Sequence, residues 1–163
     1  MQYIITCPEH IDTSITLPAS KSISNRALII QALTKVGMMP ENLSNCDDTE
    51  VIIRGLSKQS DVIDIKAAGT AMRFMTAYLS ATDGEYTITG TERMKHRPIG
   101  ILVDALRYLG AEIEYVGEEG YPPLHIRGRQ LEGGSLQIPG NVSSQYISAL
   151  LMIAPILTKG LEL

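Results

Sequence analysis

Three short stretches of the chain place small residues and hydroxyl groups where a helix is expected to begin. They lie at residues 18–26 (PASKSISNR), 67–73 (AAGTAMR) and 140–145 (GNVSSQ), and the first two also carry lysine or arginine. A helix N-terminus offers unpaired backbone N–H groups and the positive end of the helix dipole, and small residues let a ligand approach them. The three stretches therefore predict the capture of anionic ligands.

The composition favours a small anionic ligand and a single globular domain or part of one. The chain has 163 residues, of which 44% are hydrophobic, and a formal net charge of −4. An acidic chain is poorly suited to nonspecific binding of nucleic acid, so its cations must be concentrated locally. No apolar run of the sequence approaches the roughly 20 residues that span a bilayer, and we expect no membrane partner.

The cysteines and histidines do not indicate a metal site. Cys7 and Cys46 lack the spacing of metal ligands, and the three histidines are scattered along the sequence. Their positions match none of the common zinc motifs. Two free thiols without a secretory apolar segment are typical of a reducing compartment, so we expect the protein in the cytoplasm.

Strand-like and helical patterns alternate along the chain. Alternating or β-branched runs predict strands at residues 14–17, 62–66, 85–89, 112–116, 124–127 and 135–138, and a further strand that begins at 161. Helical patterns and end signals predict helices at 24–36, from Asp47 or Asp48 to about Leu56, and at 70–81, 98–109 and 141–153. The first helix is apolar around most of its circumference, which predicts that other elements enclose it. The alternation indicates a repeated α/β supersecondary unit.

Five motifs, in order along the chain, carry a family resemblance. They lie at residues 18–28, 68–73, 93–100, 121–124 and 143–146. The first resembles the shikimate-3-phosphate site of the 5-enolpyruvylshikimate-3-phosphate synthase family, also called 3-phosphoshikimate 1-carboxyvinyltransferases, and the other four continue the match. The resemblance implies an α/β fold of the α+β type, the enolpyruvyl transferase fold, with repeated βαβαββ units in two lobes and the active site between them.

The resemblance also implies how this chain divides. Residues 18–163 would form a partial shikimate-3-phosphate-binding lobe, which is the incomplete N-terminal lobe of the enzyme. Residues 1–17 would form a strand segment that belongs to the other, C-terminal lobe, the rest of which is missing. Because such a piece leaves strand edges and apolar surface uncovered, we also predict self-association.

The implied reaction belongs to chorismate and aromatic amino-acid biosynthesis. The enolpyruvyl group of phosphoenolpyruvate would pass to the 5-hydroxyl of shikimate 3-phosphate, and phosphate would leave through a tetrahedral intermediate. The resemblance implies no metal or organic cofactor, and it makes the enzyme a target of the herbicide glyphosate. Both substrates carry phosphate and carboxylate groups, which explains why an acidic chain would gather cations around small-residue turns.

The resemblance assigns roles to individual residues of the matching motifs. Lys21 would lie between the two substrates as the catalytic residue of this chain. Six residues would bind shikimate 3-phosphate: Lys21, Ser22, Arg26, Ser143, Ser144 and Gln145. Phosphoenolpyruvate would contact Lys21, Gly69 and Arg97, with glycine required because a side chain there would enter the phosphate pocket. Arg73 would be structural.

The chain departs from the family pattern beside the second stretch. Ala68 stands where the family usually has asparagine, and Phe74 replaces a frequent proline or leucine. Without the asparagine amide, the phosphoenolpyruvate pocket lacks a hydrogen bond. This difference affects the geometry of the pocket and therefore the expected sensitivity to glyphosate.

Other interpretations of the charged residues stay open. Arg93 and Lys95 fit a charged surface loop as well as a binding site. Asp47 and Asp48 could form a carboxylate pair for acid–base chemistry, but a helix N-cap explains them more simply. We therefore place Asp47 and Asp48 outside the predicted site.

Two classes of function remain. As an enolpyruvyl transferase, the isolated chain would bind substrate without turnover, because the opposing lobe supplies the groups for proton transfer. The alternative is a noncatalytic phospho-ligand-binding or assembly module built on the same α/β unit. Within the enzyme class, the alternative is UDP-N-acetylglucosamine enolpyruvyl transferase. That enzyme normally has Lys-Asn where this chain has Lys21 and Ser22, and its cysteine-bearing loop has no counterpart after Asp47.

Overall fold

The computed structural model describes residues 2–34, 37–57 and 60–163, which fold into six α-helices and two sheets. The helices are α1 (Lys21–Thr34), α2 (Asp47–Leu56), α3 (Gly69–Ser80), α4 (Glu92–Lys95), α5 (Gly100–Tyr108) and α6 (Ser144–Ile153). The strands are β1 (Val62–Asp64), β2 (Gly84–Thr89), β3 (Glu112–Tyr115), β4 (Leu124–Gly128), β5 (Gly134–Ser135) and β6 (Leu161–Glu162). A 3₁₀ turn at Ala154–Ile156 follows α6. No helix within these ranges is long and apolar enough to cross a bilayer.

One complete βαβαββ unit occupies the middle of the chain, as β1, α3, β2, α5, β3 and β4. Its sheet has the strand order β1-β2-β4-β3. β1 runs parallel to β2, and α3 makes the crossover that a parallel pair requires. β4 is antiparallel to both β2 and β3. The parallel strands β5 and β6, with α6 between them, repeat the first half of the unit. The predicted fold class is confirmed.

The four-stranded sheet buries one face and exposes the other. Tyr86 and Ile88 of β2 are buried opposite Ile126 and Leu124 of β4. Because side chains alternate between the faces of a pleated strand, the residues between them point the other way. On that outer face, ion pairs join β2, β3 and β4. α3 packs against β2 and β4, so the sheet supports the helix that lies at the centre of the chain.

α3 is the enclosed helix of this fold. All of its residues except Thr70 are buried, and it packs against α1, α2, α6 and the sheet. The sequence predicted enclosure for α1 instead, and that prediction is wrong. α1 packs against α2, α3 and α6, but these elements leave Ile23 and Ile30 exposed.

α1, α3 and α6 begin at the same end of the molecule. Near the start of each helix, Gln145 Nε2 of α6 donates a hydrogen bond to Thr70 Oγ1 of α3 at 3.2 Å. One turn further along, the Arg26 guanidinium of α1 donates to Ser148 Oγ of α6 at 3.1 Å. The same guanidinium lies 5.2 Å from the ring centroid of Phe74 in α3. Residues at equal depth in the three helices are therefore in contact, which places the three N-termini side by side.

The first helix starts earlier than predicted. α1 begins at Lys21 rather than Ser24, because Ser20 acts as its cap. The Oγ of Ser20 accepts a hydrogen bond from the N–H of Ile23 at 3.4 Å. Val36, the predicted last residue of this helix, lies outside the described residues.

The start of the second helix also corrects the prediction. Neither Asp47 nor Asp48 caps α2, because Cys46 occupies the N-cap position. The backbone carbonyl of Cys46 accepts hydrogen bonds from the N–H groups of Thr49 at 3.0 Å and Glu50 at 3.1 Å. Both aspartates lie in the first turn of the helix, where a carboxylate compensates the helix dipole.

The segment before α1 does not form the predicted strand. Residues 2–19 contain no helix or strand, so the strand expected at 14–17 is absent. A strand needs a hydrogen-bonded neighbour, and the described strands pair with one another instead. The large apolar side chains of this segment are exposed: Tyr3, Ile4, Ile5, Ile11, Ile15 and Leu17. The segment therefore contributes little to the packing of residues 20–163.

Deleting residues 2–17 is expected to leave the stability of the isolated chain nearly unchanged. Because the segment buries so little apolar surface, the free energy of unfolding should change by less than about 0.5 kcal/mol. Urea denaturation measures this value. Ile153→Ala in α6, at a fully buried position, provides the contrast and should cost about 2–4 kcal/mol. A loss of comparable size on deletion would show that the segment packs against residues 20–163.

Candidate functional site

The three gathered helix ends, those of α1, α3 and α6, lack acidic residues in their own first turns. α2 begins nearby but carries Asp47, Asp48 and Glu50 in its first turn. Acidic residues in a first turn neutralise the positive end of the helix dipole, and their absence leaves it available to an anionic ligand.

The α1 end presents two exposed polar residues and one arginine that is held in place. Lys21 and Ser22 are exposed, and Arg26 is partly buried. Arg26 Nη1 donates to the backbone carbonyl of Ser22 at 3.0 Å. Its other contacts, with Ser148 and Phe74, fix the guanidinium between the three helices. The positive charge of Arg26 is therefore ordered close to the first turn of α1.

The α3 end depends on a glycine. A Cβ atom built at Gly69 would lie 2.8 Å from Cζ of Arg97, which is closer than real side-chain contacts. Only glycine leaves room for the Arg97 guanidinium against the first turn of α3. Arg97 itself is exposed, so its guanidinium faces solvent beside this helix end. The backbone N–H groups at the start of α3 and the Arg97 guanidinium therefore form one cationic surface.

A second arginine supports the same helix end from the inside. Arg73 is only 6% exposed. Its guanidinium donates to the carbonyls of Gly69 at 2.9 Å and Pro98 at 3.1 Å, and lies 6.0 Å from the ring centroid of Tyr146. Burial, together with the charge of Arg97, lowers the pKa of Arg73. In the described part of the chain, neither Arg73 nor Arg97 forms an ion pair with a carboxylate.

The α6 end adds hydroxyl groups and an amide. Ser143 is the N-cap, and its side chain accepts a hydrogen bond from the N–H of Gln145 at 3.3 Å. Because the hydroxyl acts there as an acceptor, its own proton is left to donate to a ligand. Ser144 is exposed, and the Gln145 amide reaches across to Thr70. Tyr146 fixes the helix by donating to the carbonyl of Pro98 at 2.9 Å.

These helix ends form an open face rather than an enclosed pocket. Lys21, Ser22, Arg97 and Ser144 are all exposed. A groove of about 420 Å³ between α1 and α6 touches the site only through Arg26. Another, of about 670 Å³, lies between α5 and residues 135–139 and contains none of the predicted site residues. Among residues 2–34, 37–57 and 60–163, no group of His, Cys, Asp or Glu side chains could hold a metal ion.

Comparison with known proteins identifies the family. The family model described as EPSP synthase (3-phosphoshikimate 1-carboxyvinyltransferase) matches residues 47–163, which is more than half of the chain. The chain belongs to the EPSP synthase family. This confirms the resemblance that the five motifs indicated.

Several relatives and a solved structure agree with this assignment. A 3-phosphoshikimate 1-carboxyvinyltransferase of Bacteroides fragilis is 64% identical over 163 residues, covering 100% of this chain and 40% of the relative. One from a Janthinobacterium species is 41% identical over 176 residues, covering 92% of this chain and 40% of the relative. An EPSP synthase structure from Acinetobacter baumannii superimposes with a TM-score of 0.75 at 23% identity, covering 88% of this chain and 38% of that one. This last match supports the fold.

The chain spans about 40% of the length of these EPSP synthase relatives. It therefore corresponds to a portion of the enzyme, as the sequence predicted. The relatives' names favour the 3-phosphoshikimate enzyme over the UDP-N-acetylglucosamine enolpyruvyl transferase that the sequence left open.

Within the EPSP synthase fold, several predicted site residues lie together. Gly69 and Arg97 are in contact, and Gln145 joins α6 to the start of α3. Arg26 joins α1 to α6. Lys21 differs, because its ammonium group pairs with Asp48 of α2. The roles of these residues in binding and catalysis stay predictions.

Sequence reasoning missed the residues that support this face. Asp48 pairs with Lys21, although the sequence pattern predicts only a helix-capping role for it. Thr70 and Tyr146 lie inside the matching motifs, but no sequence signal indicated that they join α3, α6 and the loop before α5. Phe74, regarded only as a departure from the family pattern, lies against Arg26.

Proposed function

We propose that this chain forms the shikimate-3-phosphate-binding part of a 3-phosphoshikimate 1-carboxyvinyltransferase. The enzyme transfers the enolpyruvyl group of phosphoenolpyruvate to the 5-hydroxyl of shikimate 3-phosphate and releases phosphate. One observation carries the proposal. In a member of the EPSP synthase family, three helix N-termini without first-turn acids lie side by side, and Lys21, Arg26 and Arg97 lie at or near them.

Shikimate 3-phosphate binds between the starts of α1 and α6. Its ligands in this proposal are Lys21, Ser22, Arg26, Ser143, Ser144 and Gln145. The hydroxyls of the two helix ends donate to phosphate oxygens, and the amide of Gln145 contacts the ring. The hydrogen bond between Arg26 and Ser148 supports this arrangement because it holds the two helices in register.

Phosphoenolpyruvate binds at the start of α3, against Gly69 and Arg97, with Lys21 between the two substrates. A guanidinium that faces solvent and lacks a carboxylate partner in the described ranges suits the bidentate recognition of a phosphate or carboxylate group. The uncapped first turn of α3 adds backbone N–H donors, since Ala68 offers no side-chain cap.

Catalysis by these residues is electrostatic. The 5-hydroxyl adds to phosphoenolpyruvate, and phosphate leaves from the tetrahedral intermediate. Lys21 and Arg97 align the two anions and stabilise the charge that develops on the departing phosphate. The groups that move protons belong to the second lobe in this proposal, so the isolated chain binds but does not turn over.

The second lobe is the main partner of this chain. We place residues 18–163 in one lobe and assign residues 1–17 to the other, which the exposed apolar side chains of residues 3–17 support. The enzyme works in the cytoplasm in this proposal. Without the second lobe, the uncovered apolar surface also favours self-association, which sedimentation at high protein concentration measures.

Calorimetric titration of the chain with shikimate 3-phosphate tests the proposal. Saturable binding is expected, and shikimate, which lacks the phosphate, should bind much more weakly. Equal affinity for the two ligands would contradict the phosphate site. In the full-length enzyme that carries this chain, formation of enolpyruvyl product from shikimate 3-phosphate and phosphoenolpyruvate completes the test. A folded full-length enzyme that forms no product would overturn the proposed reaction.

Gly69→Ala is expected to affect one substrate selectively. The new Cβ displaces the Arg97 guanidinium, which is exposed and free to move, so the fold should persist. Losing a charge-assisted contact should raise the KM for phosphoenolpyruvate by about tenfold or more and leave the KM for shikimate 3-phosphate near its original value. Steady-state kinetics of the full-length enzyme measure both constants.

Gly117→Ala is the matched control for this change. A Cβ at Gly117 would meet only an ordinary contact with Pro123 at 3.9 Å, in the loop between β3 and β4. Its kinetics should match those of the wild type. Equal rises of both KM values in Gly69→Ala would contradict a separate phosphoenolpyruvate site at the start of α3.

A further inference from the structure

The ammonium group of Lys21 is held by a residue that is more buried than itself. Lys21 Nζ lies 3.0 Å from Asp48 Oδ1, and the side chains are 47% and 15% exposed. A partly exposed lysine has many side-chain conformations, whereas a largely buried carboxylate has few. Asp48 therefore fixes the position of Lys21 rather than the reverse.

The charge of the Asp48 carboxylate is in turn compensated by Lys21. Asp48 Oδ1 is buried, and it has no hydrogen-bond partner in the described part of the chain. The contact with Lys21 is close and forms an ion pair without a hydrogen bond, so charge alone compensates this oxygen. An acidic residue that only compensates the dipole of its helix would point to solvent or to the first backbone N–H groups. The exposed Asp47 beside Asp48 can do so.

The elements that carry the pair are locked together. Thr49 Oγ1 donates to Asn25 Oδ1 at 2.8 Å, and both residues are fully buried. The N–H of Ser44 donates to Ser24 Oγ at 2.8 Å. These bonds join the start of α1 to the start of α2 and the loop before it. The separation between Asp48 and the first turn of α1 is therefore set by the fold.

We propose that Asp48 is a positioning residue for the reaction, holding the Lys21 ammonium group at the N-terminus of α1 between the two substrates. The inference rests on the proposed function, since it concerns the same site. Asp48 touches neither substrate and acts through Lys21. Sequence patterns alone do not indicate this role, because an acidic residue in the first turn of a helix has a local explanation in the helix dipole.

The charge of Asp48 is expected to affect substrate binding and turnover in opposite directions. Asp48 competes with an anionic substrate for Lys21, which weakens ground-state binding. It also confines the ammonium group to the place where charge develops, and preorganised charge of this kind lowers the activation barrier. Neutralising Asp48 should therefore lower kcat without weakening the binding of shikimate 3-phosphate.

Asp48→Asn in the full-length enzyme tests this. The side chain keeps its shape but loses its charge. We expect kcat to fall by about tenfold or more, because a misplaced catalytic group is costly. The affinity for shikimate 3-phosphate, measured by calorimetry, should be unchanged or tighter. Asp48→Glu restores the charge and should recover part of the lost kcat.

Asp47→Asn is the matched control. It removes the same charge from the same helix turn, but at an exposed position with no assigned role in the site. Its kcat and affinity should stay within about twofold of the wild type, because exposed charges act weakly. An equal loss in both variants would assign the effect to the α2 dipole and overturn the proposal.

Two further outcomes would also overturn it. A kcat for Asp48→Asn within twofold of the wild type would mean that Lys21 needs no positioning. A loss of affinity, kcat and melting temperature together, without recovery in Asp48→Glu, would mean that Asp48 is merely structural. Activity of the wild-type enzyme separates a failure of the proposed function from a failure of the role of Asp48. If the wild type forms no enolpyruvyl product, the proposed function fails, and this inference fails with it.

Discussion

Lys21→Ala should cause the largest loss of turnover in the full-length enzyme, with kcat falling by about 10²- to 10³-fold. Lys21 provides the charge that lies between the two anionic substrates in the proposed function. Losing a charge-assisted contact should also weaken shikimate 3-phosphate binding by about tenfold to a hundredfold. Steady-state kinetics measure the first value, and calorimetric titration of the chain measures the second.

Two comparisons separate this effect from a loss of stability. Lys159→Ala removes a lysine that is also paired with a carboxylate, Glu132 at 2.6 Å, but lies away from the helix ends, and it should change nothing. The double variant Lys21→Ala/Asp48→Asn removes the buried carboxylate charge that Lys21 compensates. It should recover any lost stability without recovering activity. Binding of shikimate 3-phosphate by Lys21→Ala at wild-type affinity would contradict the assignment of Lys21.

Arg73→Ala should have a large effect on stability. The buried guanidinium joins the first turn of α3 to the residue before α5 through the carbonyls of Gly69 and Pro98. Hydrogen bonds from a charged donor are worth more than neutral ones, and the truncation also leaves a cavity beside Tyr146. We expect a loss of about 3 kcal/mol in the free energy of unfolding, measured by urea denaturation.

Arg93→Ala, at an exposed position of α4, is the control for Arg73→Ala and should change the stability by less than about 0.5 kcal/mol. Arg73→Lys should recover little, because one ammonium group cannot copy a planar guanidinium that donates to two separate carbonyls. If Arg73→Ala instead retained wild-type stability, the arginine would belong to the binding site and not to its support.

The fold could be predicted from the sequence to the extent that its signals are local. The alternation of strand and helix patterns predicted every element of the βαβαββ unit, although not the short helix α4. The helix predicted at 98–109 corresponds to α5, and Gly110 follows it with a φ of 101°, a conformation that favours glycine. The prediction of a strand at 14–17 is wrong because a strand also needs a hydrogen-bonded neighbouring strand, which a local sequence pattern cannot indicate.

The candidate site shows the same difference between features with local sequence signals and features that depend on contacts between distant elements. Helix starts rich in small residues and cations could be found from the sequence, because capping and anion capture act within one turn. The family resemblance placed Gly69 and Arg97 in one predicted site, but their contact with each other was not predicted. The ion pair between Lys21 and Asp48 could not be found, because it forms only when α2 packs beside α1. A position in the first turn of α2 is by itself a sufficient explanation for both Asp47 and Asp48.

The three neighbouring helix ends, whose first turns hold no acidic residue, affect stability as well as binding. Like dipole ends placed side by side repel one another, so this face is a local source of instability that a bound anion reduces. A ligand that binds only the folded state stabilises it, by about 2.7 kcal/mol when its concentration is a hundred times its Kd. The supply of anionic substrate would then affect how long each molecule stays folded as well as how fast it works.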